Sequence, residues 1–418
     1  MTTTGGSPAR RSAGLRVDLA LYLLYGAFAV VLLAGGTDFF TYRVWAGYAV
    51  PGYLGAAALT GVLLLLRKDD PRLRGALVAA TAVVVLLLPL ASLVVSWSAG
   101  VASAVHPEVV AVERGADRLV AGEFPYLSAE ELARHGSSTD YTPYLPIMIA
   151  FGLPRALIGP APLTDPRIVF AAVAVGLIAA AAALCPTGAR SVRWWTIVAL
   201  SPLTALPFHS GGHDLPVVAA TVLGFVLLAR RWTMAAAVVM GATMAMKATS
   251  AVPLVVAVVL LAATRPTREA VRFAAVAVAT FGAVLLPFLV IDADSLVRNV
   301  LLHPAGLENA RLLATDPFPG VLLAEWGVLG RTGSVVLLGV VALGLLVWLV
   351  RRPPRNVGEA LERSAVCLTA AVLVAPTSRA GYLLYPLVLA ATARYWMRGA
   401  DRDRRGSPEM ATGCRAGS

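Results

Sequence analysis

The 418-residue chain is 58% hydrophobic and 14% charged, with a mean hydropathy of +0.75, a balance that excludes a soluble globular domain and identifies a polytopic membrane protein. Its formal charge of +11 does not mark a nucleic-acid binder, because the basic residues fall in short blocks between apolar runs, the orientation signal of cytoplasmic loops. Cys185, Cys367 and Cys414 have no paired spacing, so neither a metal site nor a disulfide framework follows.

In chain order, a basic tail (1–17) precedes apolar runs near 18–35, 46–66 and 75–97. The first run lacks a small-residue cleavage site and is expected to stay as an anchor rather than leave as a signal peptide. A polar stretch, 98–167, follows. Runs near 168–185, 193–208, 213–229, 233–246, 249–264 and 272–291 form the core (168–291), and residues 292–333 make a second polar stretch. Runs near 334–350, 364–377 and 381–396 close the bundle (334–396) before a charged tail, 397–418, of disordered composition. The expected fold is all-α, a transmembrane bundle of about 12 spans.

Placing the blocks around Arg10, Arg67–Arg74, Arg190–Arg193, Arg230–Arg231, Arg265–Arg272, Arg351–Arg355 and Arg394–Arg405 inside puts both termini in the cytoplasm and both long polar stretches outside. The run "PYLPIMIAFGLPRALIG", 143–159, would invert every later loop if it crossed. Broken by Pro143, Pro146 and Pro154, it is expected to lie as an interfacial or re-entrant helix. Outer loops of this length point to an active site.

Chemistry concentrates in "HPEVVAVERGADRLVAGEFPY", 106–126. Glu108 and Glu113 are candidate catalytic carboxylates; a general base needs a hydroxyl within reach and a desolvated setting that raises its pKa. The bland alternative is a solvated helix face beside Arg114 and Arg118. Lys247, in "MKATS", lies at the expected outer end of two short runs, against the positive-inside trend, where it either meets a lipid-linked phosphate or snorkels to headgroups. Arg379, in "TSRAGY", is a second outward cation, and with Lys247 and Arg114 it would complete a phosphate cradle. In "GGHDLP", Asp214 is placed to cap a helix. His213 pairs in spacing with His209 but finds no third ligand, so no metal is expected. On the second polar stretch His303, Arg311 and Asp316 are candidates to meet the sugar or the phosphate, with Asp316 alternatively initiating the turn "ATDPFPG".

Taken in order, an acidic residue, an apolar stretch, a small-residue helix, Leu-x-x-Gly and Pro-Tyr appear here as Glu108, "VVAV", "RGADRLVAG" and Pro125–Tyr126. "DYTPYLPIMIAFGLPRAL", "GGHDLPV", "AMKATSAVPL", "HPAGLENARLLATDPFPG" and "SRAGYLLYPL" follow. Over about residues 98–395 this ordered set resembles the glycosyltransferase 87 family, actinobacterial membrane mannosyltransferases of the GT-C superfamily. The resemblance implies a GT-C bundle with two long outer loops in the plasma membrane. It further implies a polyprenyl-phosphate sugar donor, mannose for preference, a glycolipid or glycan acceptor, and inverting transfer without metal or cofactor. Glu108 then stands as base in a slot the family usually gives to Asp, and His213, Asp214 and Tyr126 stand near the sugar or acceptor. One departure is an added hairpin, 18–66, within the first three helices (18–97). It makes Asp38, in "GGTDFFTYRVW", a rival base, although Asp38 lacks the downstream signature. The alternative function is a polyprenyl-lipid or solute transporter or flippase. A transporter is expected to hold ionisable groups near the centre of its spans, whereas here they gather at the expected outer ends.

Overall fold

The computed structural model describes residues 8–135, 137–185, 191–308 and 315–397. Arg190, Arg311 and the charged tail beyond Met397 lie outside them. Among the described residues the only β feature is one isolated bridge, Thr315 with Ser378; the rest of the regular structure is helical.

The first three helices are α1 (Pro8–Ala34), α2 (Phe40–Leu65) and α3 (Pro71–Ser98). After them come α4 (Pro107–Val120), α5 (Pro146–Ala150), α6 (Leu153–Ile158) and α7 (Pro166–Leu184). The middle of the chain forms α8 (Val192–Val198), α9 (Pro202–Ser210), α10 (Asp214–Ala229), α11 (Thr233–Met244), α12 (Ala251–Thr264) and α13 (Thr267–Val297). The last helices are α14 (Gly327–Arg351), α15 (Val357–Val374) and α16 (Leu384–Thr392). Several starts are written in the sequence as an oxygen-bearing cap before a proline. Asp70 accepts from the Arg72 N–H (2.8 Å), Asp165 from the Arg167 N–H (2.9 Å) and Ser201 from the Leu203 N–H (3.2 Å), with Pro71, Pro166 and Pro202 in the first turn.

Among the described residues six segments are long and apolar enough to cross a membrane: Ala13–Ala34, Phe40–Leu65, Pro71–Ser98, Pro166–Leu184, Thr267–Leu302 and Gly327–Arg351. The expected count of about twelve is not confirmed by these. Ser201–Pro202 splits the run 193–208 into two short helices, and the run 233–264 breaks at Lys247 into helices of 12 and 14 residues. Helices that short fall below the roughly 20 residues a simple span needs.

The helices alternate between two ends. At one, Asp18 takes Arg74 (2.7 Å) and Arg193 (3.3 Å), while Arg265 joins Thr233 (2.8 Å) and Glu269. At the other, the start of α2 meets the end of α9, where the Thr41 carbonyl faces His209 Nε2 at 3.3 Å. α8 begins beside Asp18 and α9 ends beside Thr41, so Arg74 and Arg193 lie at the end opposite the candidate site.

The run 143–159 forms α5 and α6, helices of five and six residues. The end of α3 and the start of α7 lie together, because the fully buried Arg167 reaches the Leu93 carbonyl (3.4 Å), so the stretch between them departs from and returns to the site end. Arg167 also takes Asp165 in a two-pronged pair (2.9 and 2.7 Å) and the carbonyls of Ala104 (2.7 Å) and His209 (3.3 Å). Every residue of α10 from Asp214 to Leu228 is buried, the signature of a helix enclosed on all sides. Its polar start therefore sits at the bundle axis. Apolar faces on α13 and α14 stay exposed, with Val290 76% and Leu329 87% accessible, as lipid-facing surfaces require.

Candidate active site

Pro107 opens α4 after an extended His106 (φ −86°, ψ 146°), which aims His106 and Glu108 at the start of α10. Glu108 Oε2 lies 3.1 Å from His213 Nδ1 and 3.5 Å from His106 Nδ1, while Oε1 is ion-paired with Arg379. Arg379 Nη2 also stands 3.9 Å from Asp214 Oδ2. On the far side of His213, Lys247 Nζ is 3.2 Å from Nε2 and ion-paired with Asp214 Oδ1, which also accepts from the Tyr385 hydroxyl at 2.6 Å. Asp214 does not cap its helix through its side chain; α10 starts with no side-chain cap, and the carboxylate is committed to the two cations and Tyr385.

Both cations rest on one ring, Lys247 Nζ at 4.7 Å and the Arg379 guanidinium at 5.1 Å from the centre of Tyr382. The break after α11 makes this possible, because Met246 and Ala245 give their carbonyls to the N–H groups of Leu145 (3.2 Å) and Ile147 (3.1 Å). That pairing brings Tyr144 4.9 Å from the His213 ring. Tyr126 is buried and donates its hydroxyl to the Tyr144 carbonyl (2.8 Å), so it positions that ring from behind.

The electrostatics reverse one expectation. Burial alone would raise the Glu108 carboxyl, but Arg379, His213 and His106 together hold it well below the usual carboxylate range. Glu108 is thus ionised in the resting site rather than tuned upward. His106 is held below the ordinary imidazole value, first by burial and then by Arg379 and His213, against the pull of Glu108.

Other sequence candidates divide. Asp316 joins the site indirectly: its N–H donates to the Ser378 carbonyl (3.0 Å) and its carboxylate accepts from the Ala380 N–H (2.5 Å), bracketing Arg379. It holds a turn, but the turn that carries the cation. Glu113 lies roughly 140° round α4 from Glu108 and meets Arg155 (3.2 Å) and the Trp97 indole N–H (3.2 Å); burial raises its carboxyl in spite of both. Arg114 is committed to the Thr139 carbonyl (3.1 Å) and the Thr142 hydroxyl (3.3 Å) rather than to the cradle. His303 stacks on Tyr141 at 4.0 Å, and burial pushes it down to about 4. Asp38 is exposed in the bend before α2. Arg311 lies outside the described residues. His106, Tyr144, Tyr382 and Tyr385 had no sequence-based assignment; for Tyr382 and Tyr385 the signal available was "RAGYLLYP", two tyrosines three apart on the side of a helix start.

Gly211 backs the carboxylate, since a Cβ built there would come within 2.7 Å of Glu108 Oε2. Gly211→Ala is therefore expected to displace the Glu108 carboxylate and lower turnover about tenfold, with a thermal midpoint close to that of the parent protein. Equal activity in the two proteins would refute the close fit.

The glycosyltransferase family 87 model matches residues 141–376. That span includes Tyr144, His213, Asp214 and Lys247; the fold adds Glu108 and Arg379 from outside it. No curated protein and no solved structure matches the chain. The match covers more than half of the residues, and the chain belongs to glycosyltransferase family 87, a family of membrane glycosyltransferases.

Proposed function

We propose that the protein transfers a sugar, mannose for preference, from a polyprenyl-phosphate donor to a glycolipid or glycan acceptor at the outer face of the plasma membrane. In this reading both termini are cytoplasmic, and residues 98–167 and 292–333 form the outer loops. The observation that carries it is the convergence of two carboxylates, Glu108 and Asp214, with two cations, Lys247 and Arg379, at the axis of an apolar bundle. The hydroxyls of Ser250 and Ser378, within three residues of Lys247 and Arg379 in sequence, are buried without hydrogen-bond partners among the described residues.

Charge accounting supports an inverting displacement. Glu108, Asp214, Lys247 and Arg379 sum to zero, and the phosphodiester donor brings one negative charge. As the acceptor oxygen attacks the anomeric carbon, its proton passes to Glu108, the bond to the phosphate oxygen breaks, and the phosphate leaves with a second negative charge. Neutralising Glu108 removes the anion that occupied Arg379. The guanidinium is then free for the charge that appears on the leaving group, and Lys247 holds the phosphate as a point charge. Family membership favours this transferase over the transporter alternative.

The direct test is transfer of radiolabelled mannose from polyprenyl-phosphate mannose into lipids of membranes that contain the intact protein. Absence of transfer with mannose and with a second donor sugar would overturn the reading. A pH profile tests the coupling. Arg379 heads the lowering influences on Glu108, so Arg379→Gln is expected to raise the Glu108 pKa and move the acid limb of kcat/KM upward by about 1–3 pH units. The base must be ionised, so activity is lost first at low pH. Lys247→Gln, which touches Asp214 and His213 but not Glu108, is expected to slow transfer without that movement. Parallel profiles for the two variants would refute the coupling.

A further inference from the structure

The turn between α1 and α2 belongs to the added hairpin and carries Asp38 and Phe39. Phe39 is 48% exposed, yet its ring stands 5.4 Å from His106 and 5.1 Å from Tyr42, and Tyr42 lies nearly parallel to His106 at 6.4 Å. His106 Nδ1 is 3.5 Å from the Glu108 carboxylate, so a single imidazole separates the exposed ring from the base. Asp38, next in sequence, is itself exposed. The turn is held in place from beneath. The Thr41 carbonyl faces His209 Nε2 (3.3 Å), and the Trp45 indole donates to the Val85 carbonyl (3.0 Å).

An exposed aromatic ring with an exposed carboxylate next to it in sequence matches the two-sided chemistry of a sugar. The ring packs on the apolar C–H face of a pyranose, and the carboxylate accepts from its hydroxyl edge. Of the two cations, Lys247 lies on the far side of His213 from Glu108, against Asp214 and Tyr382. We infer that Phe39, with Asp38 and Tyr42, forms the acceptor subsite, and that the occupant is the terminal sugar of a glycan or glycolipid acceptor. This inference rests on the proposed transferase activity. It also gives Asp38 a binding role in place of its rival role as base.

The test uses the full chain in liposomes with radiolabelled polyprenyl-phosphate mannose. Hexyl α-mannoside, hexyl β-glucoside and hexyl arabinofuranoside serve as acceptor probes, and water is the competing acceptor. The readout is the ratio of transfer to donor hydrolysis. Phe39→Ala is expected to lower that ratio about tenfold, the loss of one stacking contact, and Phe39→Trp to restore it. Asp38→Asn is expected to change which hexyl glycoside is preferred. A ratio that Phe39→Ala leaves unchanged, whether or not both rates fall together, overturns the subsite and leaves Phe39 a support for His106 or an interfacial anchor. So does a parent protein that hydrolyses the donor but transfers to none of the probes. A parent protein that neither transfers nor hydrolyses overturns the transferase reading itself.

Discussion

Glu108→Gln is expected to lower turnover by about 100-fold or more, equivalent to about 2.7 kcal/mol of transition-state stabilisation, with donor affinity changed far less. The amide fills the same volume but cannot take the acceptor proton, and it leaves Arg379 with Asp214 as its remaining carboxylate, 3.9 Å away. Two effects are thereby mixed, loss of the base and loss of the anion that holds Arg379. Glu108→Asp separates them: it keeps the negative charge and shortens the arm by one methylene, so it is expected to retain more activity than Gln. Single-turnover transfer from a labelled donor in membranes with matched protein content measures both variants. Gln at full activity would remove Glu108 from the reaction, and an accompanying loss in Asp38→Asn would move the base to the hairpin.

Arg167→Met is expected to cost about 3–5 kcal/mol of stability, because removing one partner of a buried pair strands the other. Arg167 and Asp165 are both fully inaccessible, and the guanidinium also satisfies carbonyls of Leu93, Ala104 and His209. No other single side chain described above joins as many separate segments beneath the site. Thermal unfolding in detergent reads the effect. Asp165→Asn combined with Arg167→Met is expected to recover part of the loss, since the uncompensated charge is gone while the carbonyls stay unpaired. A single variant melting within a degree or two of the parent protein would show that the pair contributes little.

Hydropathy made the helices legible and left their lengths ambiguous. The run at 233–264 reads as two short apolar pieces around Lys247, and the structure breaks there into helices of 12 and 14 residues. The same reading counted 193–208 as one span because Ser201 and Pro202 look harmless in an apolar run, although together they cap and start a new helix. In the site, Lys247 and Arg379 stood out as cations where cations are costly, and the structure sets both on Asp214 and Tyr382. Tyrosine and histidine carry no such signal: Tyr144 and Tyr385 become site residues only through His213 and Asp214, 69 and 171 positions away, which no local pattern encodes, and His106, two positions before Glu108, gains its ring neighbours Phe39 and Tyr42 from the hairpin. The direction of the Glu108 pKa was equally hidden. Burial could be guessed from an amphipathic α4, but the sign depended on a guanidinium 271 positions downstream, from 108 to 379.

That last separation bears on how the protein is made. A chain emerging from the ribosome in order presents Glu108 early, with His213 and Lys247 following, and receives Arg379, Tyr382 and Tyr385 only as its last described helix is threaded. Until then the carboxylate has no guanidinium and Asp214 has no phenol. A chain cut short before the final turn would lack the group that holds Glu108 ionised. Partial products left in a membrane therefore hold Glu108, Asp214 and Lys247 without the guanidinium and the two phenols that complete the cluster.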